Sequence, residues 1–280
     1  MTGTRDPNRE AAASGPLEGR HVRLVPAALA SIDRLYEIAL CSGAGTTWRT
    51  RGLLVGPEQF ADLITGELGF ALTERATGLA VGHVGLHGLD PLSGTGELTA
   101  FVDPRRPTAG IIAGEGIDVF LDYAFRHAGV RKVTVEMPAG PAGQLARLLN
   151  RRPGLTHEGV RRAHVRIGQE VVDLHIYALW AEPFLACALA RPTSAGGGVP
   201  TFAELLALIG EVAPRAVDHD DITGGHALVD DLGLDSLALL ELVDALDARV
   251  APLGPLALSA FEQRLTVHDL LVACEVAVRG

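Results

Sequence analysis

The chain has 280 residues, 48% of them hydrophobic, and a formal net charge of −10. That length suits one large domain or two ordinary ones with ample core, and the acidic balance excludes nucleic acid as the expected partner. No run approaches about eighteen apolar residues, and the first fourteen residues mix Arg, Asp, Glu and Asn without a continuous apolar stretch, so neither a membrane span nor a signal peptide is expected.

Residues 1–15 read as a disordered tail. A strand over 21–26 leads into a helix over 27–40, and a second helix follows Pro57 over 58–68. Strand candidates lie at 70–74, 80–89 and 96–102. Thr77-Gly78 and the loop 91–96 join them into an antiparallel meander. An amphipathic helix over 115–128 ends at Gly129. A strand at 132–137, a helix at 141–149 and a pair of strands at 164–168 and 171–180 complete the pattern. This order describes an α+β domain over residues 16–189, built on a mixed, mostly antiparallel sheet. Residues 190–200, with Pro, Ser and three consecutive glycines, read as a flexible linker.

Residues 201–280 carry helical patterns at 201–212, after Asp235, and from Thr266 onward. In Asp231-Leu232-Gly233-Leu234-Asp235-Ser236-Leu237, Asp235 is a candidate N-cap and Ser236 falls on the first helical turn. Leu237, Leu240, Val243, Leu246 and Val250 give that helix one apolar stripe, with Asp235, Glu241, Asp244 and Asp247 off it. A hydroxyl at the start of such a helix suits a phosphodiester, which the helix dipole favours. Residues 196–280 hold 14 acids against 4 Arg, whereas the other 195 residues balance at 20 acids and 20 bases. All the excess negative charge therefore lies in this segment, which suits docking on basic patches of other enzymes.

The segment resembles the acyl and peptidyl carrier proteins, all-α four-helix domains. The resemblance implies that Ser236 carries a 4'-phosphopantetheine arm, attached by a phosphopantetheinyl transferase, with its thiol holding an acyl group. Biosynthetic enzymes would dock on the acidic helix. The bland alternative is a chance Asp-Ser-Leu at a helix start.

The first domain also resembles a family. Gly110-Ile111-Ile112-Ala113-Gly114-Glu115-Gly116, followed by Phe120-Leu121-Asp122-Tyr123-Ala124-Phe125, is similar to a motif of the GNAT acyltransferases, in the subfamily that acetylates ribosomal-protein N-termini. The strands Gly96-Glu97-Leu98-Thr99-Ala100-Phe101-Val102 and Val172-Asp173-Leu174-His175-Ile176-Tyr177 look like two further motifs. The resemblance implies an acyl-CoA site on Phe101, Val102, Asp103, Arg106, Gly110, Ile112, Ala113 and Gly114, with the pyrophosphate on backbone N–H groups at a helix N-terminus. Here the chain departs from the family pattern. Thr108 stands for a cationic or amide residue, Ile111 for a glycine, and Gly140 and Gly143 for two polar residues after the next strand. Arg105 and Arg106, just upstream, are candidates to supply charge instead. Either the loop has diverged and still cradles coenzyme A, or the acyl donor arrives on the carrier and the nucleotide cradle has decayed.

Glu97 is the first candidate for the general base and His87 the second. A structural carboxylate paired with arginine is the competing role for Glu97. His83, on the same strand face as His87, reads as a core imidazole; Asp173 and His175 share one face of the last strand and are candidates to line the acceptor pocket, with a structural role the favoured reading. No metal-ligand spacing is present. Cys41, Cys187 and Cys274 are far apart and read as reduced, so a cytoplasmic protein is expected. The combined expectation is an acyltransferase with a fused carrier, moving an acyl group between a carrier thioester and a small-molecule amine in natural-product biosynthesis. A loading domain that charges its own carrier, and a non-catalytic module that presents it, are the alternatives.

Overall fold

The computed structural model describes residues 15–42, 55–65, 68–106, 108–139, 149, 152–167, 169–190, 199–213, 222–249 and 265–279. Seven strands form one sheet in the order β1-β2-β3-β4-β5-β7-β6. The strands are β1 (Val22–Pro26), β2 (Leu68–Glu74), β3 (Ala80–Asp90), β4 (Thr95–Val102), β5 (Lys132–Pro138), β6 (Leu155–Ile167) and β7 (Glu170–Trp180). Every pairing is antiparallel except β4 with β5.

The helices follow from local signals. A single 3-10 turn, Ala27–Leu29, precedes α1 (Ile32–Cys41), so the expected helix over 27–40 divides in two. Ser31 divides it by accepting from the Arg34 N–H as the N-cap of α1. The second helix, α2 (Pro57–Thr65), ends before the chain enters β2 at Leu68. Next, α3 (Ala109–His127) begins six residues earlier than the sequence pattern indicates, so the glycine-rich stretch is helix and not loop. Gly116 belongs there because a Cβ at this position would lie 2.4 Å from Leu72 Cδ2, and its absence lets α3 settle on β2. After β7 an unforeseen helix, α4 (Ala181–Ala190), packs Phe184 edge-on against Phe125 near the end of α3.

The helices α1 and α2 cover one sheet face through Leu35, Ile38, Phe60 and Ile64, which pack with Ala71 and Phe101. On the other face α3 lies over Val84, Leu86, Leu98, Val133 and Val135. The expected helix over 141–149 lies outside the described residues apart from Leu149. The expected strand over 164–168 is the end of the 13-residue β6, a largely exposed edge strand.

Three helices are described in the C-terminal segment: α5 (Phe202–Val212), α6 (Ser236–Arg249) and α7 (Val267–Arg279). Thr201 and Glu204 close a capping box on α5, and Thr266 and Asp269 make the same reciprocal pair of bonds at α7. Asp235 caps α6, accepting from the Ala238 N–H at 2.8 Å. Gly233, at φ +68, turns the chain into that cap. Leu228 N–H donates to Leu265 C=O and Val267 N–H to His226 C=O, tying the loop before α6 to the start of α7. The rest of the segment, including any fourth helix, lies outside the described residues, as do the tail 1–14 and linker residues 191–198.

Candidate functional site

The parallel pairing of β4 with β5 covers only Thr95–Lys132, Gly96–Val133 and Glu97–Thr134. Both strands continue, β4 to Val102 and β5 to Pro138, so the sheet opens at Glu97. Backbone N–H and C=O groups that face such a gap have no ladder partner and can bond an extended polar chain laid between the strands. Thr134 Oγ1 donates to Gly96 C=O at 3.2 Å and clamps the vertex.

Antiparallel register places His87 directly opposite Glu97. Their side chains meet with His87 Nε2 3.1 Å from Glu97 Oε1, and both are partly exposed at 18% and 32%. The contact is an ion pair in distance but not an aligned hydrogen bond, since His87 Nε2 has no hydrogen-bond partner among the described residues. The two candidate bases thus form one dyad at the vertex of the opening. The competing role for Glu97, pairing with an arginine, is not what its contact with His87 supplies. His83 lies deeper on the same strand, 2% exposed and stacked on Phe101 at 5.3 Å, as a core imidazole.

The turn from β4 into α3 is the other half of the site. Its cations are held by carboxylates. Asp103, 1% exposed, accepts from Arg34 at 2.7 Å and from Arg105 Nε and Nη2 at 2.7 and 2.9 Å. Arg105 also reaches Glu37 at 2.9 Å, and Arg106 reaches the buried Glu74 at 2.9 Å. Three arginines therefore face three carboxylates. The Arg105 guanidinium, first among its partners, holds the Asp103 carboxyl below the usual carboxylate value, and the same pairing raises Arg105. Arg105 and Arg106 are thus committed to carboxylates and add no net charge beside α3. The Arg34–Glu37–Asp103–Arg105 cluster is not visible as a motif because Arg34 and Asp103, which bond each other in it, lie 69 residues apart.

Thr108 stands at the N-terminus of α3 and is 1% exposed. Its hydroxyl makes no capping bond and has no hydrogen-bond partner among the described residues. The Ala109 N–H donates to Arg106 C=O and the Ile112 N–H to Thr108 C=O; the donors between them, on Gly110 and Ile111, are those an anion would use. The other residues that the resemblance assigns to coenzyme A are placed as follows. Phe101 sits under α2, 6.2 Å from Phe60 by ring centroids, and Val102 is half-buried at the end of β4. Gly110, Ile112, Ala113 and Gly114 are all buried in the first turns of α3.

Ser236 is the first residue of α6, as the sequence pattern places it. Asp173 braces the bulged edge strand, accepting from Ala163 N–H at 2.8 Å and from Arg162 at 2.6 Å. These bonds hold its carboxyl below the usual value. His175 Nδ1 lies 3.2 Å from His157 Nε2, a contact between β7 and β6 that sequence separation conceals. Among the described residues no group of three or more His, Cys, Asp or Glu is placed to hold a metal ion. None of the described helices is long and apolar enough to cross a membrane.

A central parallel pair that opens at a carboxylate, helices on both faces and an otherwise antiparallel sheet define a GNAT-like α+β fold. No family model and no curated protein matches the chain. Among solved structures it is similar to the spermidine N-acetyltransferase of Vibrio cholerae in complex with CoA and spermine. That likeness has a TM-score of 0.50 and 15% identity, over 59% of this chain and 96% of the other. A GCN5-related N-acetyltransferase from Brucella melitensis gives a TM-score of 0.48 and 25% identity, over 62% of this chain and 82% of that one. The ribosomal L7/L12 alpha-N-protein acetyltransferase RimL gives 0.45 and 12%, over 57% and 92%.

Proposed function

We propose that the chain is an acyltransferase whose acyl donor is a thioester on its own C-terminal carrier and whose acceptor is a small-molecule amine, within natural-product assembly. The observation that carries the catalytic part is the opening of β4 from β5 with Glu97 and His87 at its vertex. The chemistry takes one proton from the amine, passed through a base to solvent, and returns one to the leaving thiolate. The amine nitrogen attacks the thioester carbonyl, a C–N bond forms, the C–S bond breaks, and the thiolate takes a proton from solvent. Glu97 takes the proton lost by the amine, directly or through a water, with the His87 ring 3.1 Å away. The polar gap between the strands fits an amide-bearing arm better than an apolar chain.

The carrier half of the reading rests on Ser236 at the capped start of α6 and on the acidic segment around it. The neutral arginine–carboxylate cluster beside α3 favours a donor without the nucleotide half of coenzyme A. The test is intact-protein mass spectrometry. A phosphopantetheinyl transferase and a set of acyl-CoAs should load one acylated arm, and added amines should discharge it. A loaded protein that loses its acyl group no faster with amines than without them, across acyl groups, would remove the transfer reading.

A further inference from the structure

The C-terminal helices are not separate from the sheet domain. Helix α6 packs on α3 as well as on its neighbour α5. The buried side chains of α6, Ala238, Leu239, Leu242, Val243 and Leu246, belong to one continuous apolar cluster with α3 and the sheet. The burial of α3 shows where cover is needed. Ile117, Phe120, Leu121 and Ala124, all 0% exposed, mark the line that faces the sheet. At 3.6 residues per turn Ile111 stands about 130° round the axis from that line. A side chain so placed would face solvent on an uncovered helix, yet Ile111 is only 2% exposed. Further along the same face Glu115 accepts from the Arg20 and His21 N–H groups, and Arg152 binds Asp118 and the Gly114 C=O, so these residues cover part of that face beside α6. The far end of α3 is met by α4 through Phe184, and Arg126 and His127 there are exposed.

We propose that α3 and α6 form the docking interface on which the C-terminal segment works in cis, with Ile111 as an apolar anchor beside the N-terminus of α3. Ile111 is the residue that departs from glycine in the resembled pattern, and a β-branched side chain there is an asset only under an apolar lid. In this arrangement α6 is engaged by its own chain, and carriers on other proteins must displace it to reach the site. The inference rests on the carrier reading of Ser236 for its purpose but not for its geometry.

The experiment is amide hydrogen exchange on the full chain, compared with Ile111→Asp and with Ile111→Ala. Docking predicts that both variants lose protection in α6 by tenfold or more, Ile111→Asp further, while strands β2, β3 and β4 stay protected. Unchanged α6 exchange in a variant whose sheet remains protected would overturn the interface. If Ile111→Asp does not fold, Ile111→Ala decides alone. A fluorescent pantetheine arm then reads the purpose. Arm incorporation with slow tumbling in the parent and fast tumbling in Ile111→Ala supports delivery in cis. Fast tumbling in the parent refutes it. Failure to attach any arm defeats the carrier reading and leaves the exchange result standing by itself.

Discussion

Replacing Glu74 by Gln should raise the affinity of the start of α3 for coenzyme A. In the parent, Glu74 is 4% exposed and accepts from Arg106 Nη2 at 2.9 Å and from the Thr77 hydroxyl at 2.6 Å. Arg106 lies two residues before Thr108, where a phosphate at the start of α3 would sit. The amide of glutamine keeps the shape and an acceptor oxygen but removes one negative charge. For a carboxylate about 7 Å from a phosphate, at an effective dielectric of about 20 to 40, the repulsion removed is worth about 1–2 kcal/mol. That corresponds to about 5- to 30-fold in affinity. The weakened charge-assisted bond costs the fold about 1–3 kcal/mol, which urea denaturation will register. Calorimetry with coenzyme A and with an uncharged acyl pantetheine gives the comparison. Only coenzyme A should gain, and the gain should shrink at high salt. An unchanged coenzyme A affinity in folded Glu74→Gln would refute the reasoning, as would tight, nucleotide-dependent binding by the parent.

Ser236→Ala should abolish arm attachment by a phosphopantetheinyl transferase, and a labelled mutant in the mass spectrum would exclude Ser236. Glu97→Gln should lower the rate of acyl transfer to amines by about 10²- to 10⁴-fold with the arm still loaded; an unchanged rate would leave His87 as the next residue to replace. Gly116→Ala should cost about 1–3 kcal/mol in chemical denaturation by forcing Leu72 away from α3, and a neutral effect would show that the core yields there. Asp103 is held below the usual carboxylate value, so in the unfolded chain it binds a proton more readily than in the fold. Its contribution is present above about pH 4 and is lost as pH falls further. Asp103→Asn should therefore be less stable at neutral pH and lose less stability than the parent on acidification, as thermal melts across pH will show.

The elements most legible in the sequence were those whose signals are local. The caps of α5, α6 and α7 rest on Thr201 with Glu204, Asp235 three residues before Ala238, and Thr266 with Asp269. Each bond spans about one turn, so residue type and spacing suffice to find it. The meander β2–β3–β4 was legible because Gly78 and Gly94, at φ +71 and +62, punctuate alternating strands. The strand β6 was legible only at its end, because most of its residues are exposed and a strand without a buried face shows no alternation. Its pairing with β7, and not its composition, makes it a strand. The early start of α3 was hidden for a related reason. Glycines at 110, 114 and 116 argue against helix locally, and contact with the sheet outweighs that preference.

For the site, the residue types were readable but their meetings were not. Glu97 and His87 could be named as candidate bases from the sequence, yet only strand register sets them opposite each other at 3.1 Å. Arg105 and Arg106 looked available to an anion because charge is visible in a sequence and neutralisation is not. Their carboxylate partners Glu37 and Glu74 come from α1 and β2, brought near by folding. Ile111 read simply as the loss of a glycine. Its burial under cover 130° or so from the sheet line exists only once the chain has folded, since a helix of 3.6 residues per turn assigns a side chain a direction and leaves the neighbour in that direction to tertiary packing.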